Sequence, residues 1–109
     1  MYYKLVQWPM NEVEIRGLRW DDWNRAHLAR EHHTVSEEEV REVLAGPSIA
    51  LSSKTNPRRP LFIGPTRRGR MLVIVLDPEG DGTYYPVSGC PTHRSERRYY
   101  EQHPEEHRA

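Results

Sequence analysis

The chain has one cysteine, one phenylalanine and two lysines in 109 residues, and its longest apolar run is residues 71–76. Each scarcity excludes something. A lone Cys90 cannot build an internal disulfide framework, and six apolar residues fall far short of the roughly 20 that a membrane-spanning helix needs. No internal repeat is visible, which excludes a stacked-repeat architecture. Nothing at the N-terminus resembles the apolar core of a signal peptide, so the expectation is a cytoplasmic protein with no membrane partner. Net charge is scarce as well: 16 basic and 16 acidic residues leave a formal +0. That balance argues against a nonspecific nucleic-acid binder, which needs a cationic face to neutralise phosphates.

What remains is a polar but foldable composition, 36% hydrophobic and 29% charged, too rich in Trp, Tyr, Val and Leu for disorder. A chain this short holds one domain with a modest core. The expected boundaries are an N-terminal extension or edge segment over 1–14, a single α+β domain over 15–103, and a tail over 104–109. Charge is unevenly placed. Between Arg58 and Tyr100 there are eight arginines against four acidic residues, while the acidic excess lies in residues 37–42 and the tail. Arginine supplies all but Lys4 and Lys54 of the basic residues, and its planar fork suits phosphate or carboxylate. An arginine-rich genome would give the same bias.

Periodicity and punctuation predict the elements. A short strand over 15–20 leads to Asp21 or Asp22, either of which can cap a helix over about 23–32. Ser36 and Glu39 have the spacing of a capping box for a second helix, with Val35 and Val40 placed as a hydrophobic staple and Gly46–Pro47 as the stop. Strands are expected over 48–53, 61–66, 71–76 and 83–88, the third buried on both faces, with Gly69 and the Asp77-to-Gly82 segment as turns. Pro86 indicates an edge or a bulge. Gly89, Cys90 and Pro91 are expected to break the last strand, and Thr92 to cap a third helix carrying His93 to about Gln102. The resulting fold class is α+β: two N-terminal helices, three or four antiparallel strands and a C-terminal helix, with the helices on one face.

Taken together, the segments WDDWNRAH, HHTVSEEEVREVLAGP, LFIGPTRRGRMLVIVLDP and SGCPTHRSERRYYE resemble the BrnT family, the toxin half of BrnT/BrnA toxin–antitoxin pairs. The resemblance runs over about residues 20–101. It implies a RelE/ParE-like fold and an endoribonuclease, ribosome-dependent or ribosome-independent, that arrests translation. It also implies a BrnA-like ribbon-helix-helix antitoxin as partner, through which alone operator DNA is contacted. The family pattern commonly carries an arginine at the end of the last strand, where this chain has Cys90. Its usual His-Gly-Val before the second helix is here His32, His33, Thr34 and Val35.

Metal-independent RNA cleavage removes a proton from the 2′-hydroxyl, returns one to the leaving oxygen and stabilises the charge that builds on phosphorus. Glu96 and His93 are candidate bases, and with Tyr100 they share one face of the predicted last helix. Tyr99 or Tyr100 is a candidate proton donor or base-stacking ring, and Arg70, Arg94 and Arg97 are candidate phosphate ligands. Arg67 joins them from the hairpin tip; with Arg68 it reads equally as a solubility or antitoxin contact. Plainer readings stand beside these. Glu96 with Arg97 and Arg98 reads as a solvated helix face, and the tyrosines as the only core residues of their helix. Trp20 and Trp23 read as core anchors, and Cys90 as a small buried residue. His27, His32, His33, the Cys90–His93 pair and His103 with His107 do not form a closed ligand set, so no metal and no cofactor is expected. Two functions follow: an endoribonuclease toxin, or a noncatalytic binding module that meets an antitoxin-like partner through its sheet edge and third helix. The enzyme depends on Arg70 and the polar face of the last helix facing one phosphate-sized space.

Overall fold

Residues 71–76 are apolar at every position, so a strand built from them must be covered on both sides. The computed structural model describes residues 5–9, 13–30, 34–53 and 56–108, and there this run opens the central strand of a six-stranded sheet. In chain order the elements are β1 (Leu5–Pro9), β2 (Gly17–Leu18), α1 (Asp22–Leu28), α2 (Glu37–Ala45), β3 (Ile49–Ser53), β4 (Pro60–Pro65), β5 (Met71–Gly80), β6 (Thr83–Pro91) and α3 (Arg94–Gln102). A 3-10 turn, Pro104–Glu106, follows. The sheet order is β1-β3-β4-β5-β6-β2. The class is α+β, as expected.

The sheet is larger than the expected three or four antiparallel strands. β3 to β6 form an antiparallel meander; β1 adds antiparallel to β3, and β2 adds parallel to β6. Only two residues of the expected 15–20 strand pair, held where Arg16 and Gly17 amides donate to Gly82 O and Arg19 donates to Tyr84 O. The turn after β5 is also tighter than the 77–82 stretch suggested, because Asp81 (φ +55) and Gly82 (φ +79) reverse the chain alone. Pro86 sits where the β5–β6 register slips, a bulge, as its missing donor requires. Gly89 does not break β6. A Cβ there would lie 3.2–3.4 Å from Ile74, Leu28 and Val35, so glycine serves close helix packing.

Side chains alternate across β5 and sort the core into two layers. Leu72, Ile74 and Leu76, with Ala50 and Phe62, pack under Leu28, Val35, Val40 and Val43 from the α1–α2 region. Val73 and Val75, with Ile49, Leu51, Leu61 and Ile63, pack against Tyr99 and Tyr100 of α3. The helices therefore cover both faces, not one: helices on one side alone would leave half of the apolar 71–76 run wet.

Local signals at the helix ends are strong. Ser36 and Glu39 form the reciprocal capping box that their spacing predicts, and Asp21 and Asn24 form a second at α1. α1 stops short of the expected residue 32 because the chain returns, the Val35 amide donating to Leu28 O at 2.7 Å. His93, not Thr92, occupies the N-cap of α3. Among the described residues no helix is long and apolar enough to cross a membrane.

Asn24 is fully buried and bridges three segments: its Oδ1 accepts from the Asp21 amide, and its Nδ2 donates to Arg19 O and to Pro86 O, both at 3.1 Å. Asn24→Ala strands those carbonyls and opens the box, so urea unfolding is expected to show a loss of about 2–3 kcal/mol.

Candidate functional site

Arg70 lies two residues before Leu72 and falls on the α1–α2 face. Its Nη1 donates to both carboxylate oxygens of Glu39 at 3.0 Å and to Thr34 O at 2.8 Å, and its Nη2 donates to Thr34 Oγ1 at 2.8 Å. Glu39 also accepts from the Ser36 amide at 3.1 Å. Burial works to raise the Glu39 carboxyl, but the Ser36 amide and the Arg70 guanidinium hold it below the usual range. Arg70 thus fastens the β4–β5 hairpin to the start of α2.

The last-helix candidates occupy the opposite face. Glu96 is 2% exposed and accepts from the His93 amide at 2.6 Å, so it caps its own helix; burial pushes its carboxyl up. This replaces the solvated-face reading of Glu96. Cys90 pairs with Val73 across the ladder and so shares this face, its thiol raised by burial and then by the nearby Glu96 charge. Tyr100 donates to Pro47 O at 2.6 Å and stacks on His107 with ring centroids 4.0 Å apart. Tyr99 donates to Glu106 at 3.0 Å and stacks on His103; burial and that carboxylate push its phenol up to about 12. Both tyrosines combine core packing with latching the C-terminal turn.

The expected convergence is therefore corrected. The structure brings His93, Glu96 and Cys90 together at the start of α3, with Arg94 and Arg97 exposed on the same helix. It places Arg70 across the sheet, because residue 70 is in step with Leu72 while α3 covers Val73 and Val75. The Tyr100 hydroxyl is spent on Pro47 O.

Arg67 and Arg68 are exposed at the hairpin tip, where Gly69 takes φ +85. They border a groove of about 430 Å³ that is also lined by Glu38, Glu39 and Glu42, and Glu42 accepts from the Arg67 amide at 3.1 Å. Those carboxylates oppose a phosphate there. Arg67, Arg68, Arg94, Arg97 and Arg98 make no side-chain ion pair among the described residues, whereas Arg16, Arg19, Arg25, Arg41, Arg59 and Arg70 each do. The Thr92 amide donates to Met71 O at 3.1 Å, so the hairpin and the start of α3 flank one end of the sheet.

Trp20 packs partly against the core as expected, but Trp23 is 55% exposed and stacks on His27 at 4.7 Å. The preceding cap explains this: Asp21 sets the helix phase so that Asn24 and Leu28 face inward and Trp23 outward. His32 and His33 lie outside the described residues. His103 Nδ1 approaches Glu105 at 3.1 Å and Glu106 at 3.2 Å, a cluster that the spacing of His103 and His107 did not suggest. Glu106 already serves Tyr99, and three donors fall short of a closed set.

Glu96→Gln keeps an oxygen for the His93 amide and removes a buried charge. Because the folded carboxyl is raised, its stabilising contribution is complete below its unfolded value and is lost as pH rises through the folded one. At pH 7 the variant is expected to be at least as stable as the parent chain, with the gap closing as pH falls toward about 4; urea midpoints across pH read this directly. Comparison of the chain with protein-family models, curated proteins and solved structures finds no match.

Proposed function

We propose that this chain is a BrnT-like, toxin-type protein with a RelE/ParE-like fold that acts in the cytoplasm by binding a DNA-binding antitoxin of the ribbon-helix-helix kind. One observation carries the choice of binding over catalysis: the residues that the nuclease reading requires are divided between two faces and already engaged. Arg70 is held by Glu39 and Thr34, Glu96 caps α3 from inside, and the Tyr100 hydroxyl is donated to Pro47 O. The docking surface is the outer edge of β6 over 87–91, which no strand pairs among the described residues, together with the exposed side of α3. Operator DNA is reached through the partner.

A second reading, an endoribonuclease, draws on the five arginines at one end of the sheet that make no ion pair among the described residues and on His93 and Glu96 beside them. RNA would lie across Arg94 and Arg97, and Cys90 would stand beside Glu96 where the family pattern carries arginine.

Co-expression with the ribbon-helix-helix protein of a neighbouring reading frame separates the two. The expected outcome is a complex that survives size-exclusion chromatography and is disrupted by Val87→Pro on the β6 edge. Expressed alone, the chain is expected to leave growth and total RNA intact. Degradation of RNA that disappears on Arg94→Ala with Arg97→Ala would reverse the order of the two readings. Tyr100→Phe is expected to lower stability by about 1 kcal/mol, through the lost Pro47 bond, and to leave partner binding unchanged.

A further inference from the structure

A second concavity lies far from the start of α3. The segment entering β2, the C-terminal half of α2 and Arg108 border an open concavity of about 470 Å³, lined by the polar Arg16, Arg41 and Arg108 and by the apolar Ile15, Leu18 and Leu44. Among the described residues no acidic side chain lines it. Glu14, which does not line the cavity, pairs with Arg16 on well-exposed side chains where such a pair is weak, and the half-buried Glu37, also outside it, pairs with Arg41 and Arg25. Arg108 differs from both. Among the described residues its one side-chain hydrogen bond is to Ser48 Oγ at 3.4 Å, its guanidinium sits 5.0 Å from the centre of the Phe62 ring, and burial lowers its pKa. A partly buried guanidinium resting on an aromatic ring, with no carboxylate of the described residues bonded to it, is suited to an anionic ligand.

The main chain fixes this geometry. The Arg108 amide donates to Ser48 O at 2.8 Å, so Arg108 is anchored against the segment that joins α2 to β3. On the other wall, the Arg16 and Gly17 amides are spent on Gly82 O, which holds Ile15, Arg16 and Leu18 in place. Among the described residues no aromatic ring and no amide or hydroxyl side chain lines the cavity, so they offer neither the stacking surface nor the hydrogen-bonding edge that a nucleobase requires. Its walls instead suit a flexible aliphatic body ending in an oxyanion.

We propose that this cavity is a binding site for an aliphatic organic anion, whose carboxylate or phosphate head is held by Arg108 with Arg41 and Arg16 while its chain lies against Ile15, Leu18 and Leu44. Planar guanidinium forks bind either head in bidentate fashion, and the apolar wall adds the selectivity that a bare anion cannot exploit.

Calorimetric titration of the full chain at low salt tests it with four probes: octanoate, octyl phosphate, octanol and inorganic phosphate. Octanoate or octyl phosphate is expected to saturate one site and to shift the amide resonances of Gly17, Leu18 and Ala45. Arg108→Gln should weaken this binding about tenfold, as expected for loss of a charge-assisted bidentate contact. Arg16→Gln, an exposed substitution that leaves the fold intact, should weaken it several-fold and guards against a misfolded Arg108 variant. Non-saturating titrations with both alkyl anions, unchanged affinity in both variants, or resonance shifts confined to other regions would each overturn the site. Octanol binding as tightly as octanoate would refute the role of the arginines, and inorganic phosphate matching octyl phosphate would refute the apolar wall.

Discussion

The molecule is organised by a strand with no face for water. Each fully buried aliphatic side chain of β5 is worth about 1.5–3 kcal/mol, against the zero to about 1 kcal/mol of a surface ion pair. Apolar coverage therefore decides where the helices go, and charged residues take the places that remain. α1 and α2 close one layer and α3 the other. Arg70 has no choice of side once Leu72 is committed, so it meets Glu39 rather than Glu96.

Burial is also what gives the polar core its role. Asn24 and Glu96 are buried, and each spends an oxygen on the amide of a helix cap. Asn24 is neutral and in addition ties α1 to the bulge at Pro86, joining a helix start to the strand beneath it. Glu96 performs the same service with a group that burial makes harder to ionise. The exposed carboxylates behave in the opposite way: Glu79, bonded to Arg19, and Glu37, bonded to Arg25 and Arg41, titrate below their ordinary range. Acid therefore releases the surface pairs while it relieves Glu96, which partly offsets the loss.

Much of this fold is legible in the chain because the signals are short-range. Ser36 with Glu39, Val35 with Val40, the glycine after Arg68 and the apolar 71–76 run all act within a few residues of themselves. β2 escaped notice as a two-residue strand because it exists only through carbonyls of Gly82 and Tyr84, far away in sequence. The side taken by α3 was hidden too: two adjacent tyrosines give no period, and their direction is set by Val73 and Val75 on another element. The candidate site failed at that same point. The parity of Arg70 with Leu72 was readable, but the layer occupied by Glu96 was not. Cys90 beside Glu96 follows from the β5–β6 register, which the bulge at Pro86 shifts by one position.

The anchoring of Arg70 couples regions that are distant in sequence. Thr34 holds a left-handed backbone (φ +51), unusual for a β-branched residue, and Arg70 grips both its carbonyl and its hydroxyl. Any polyanion that drew this guanidinium away would remove two of the bonds on Thr34, whose amide also donates to Arg30 O, and would take from Glu39 its bond to Arg70. The first turn of α2 would then fray, and its amide protons would exchange faster with solvent. By linkage, a protein that docks on that turn and an anion that recruits Arg70 would antagonise one another without touching.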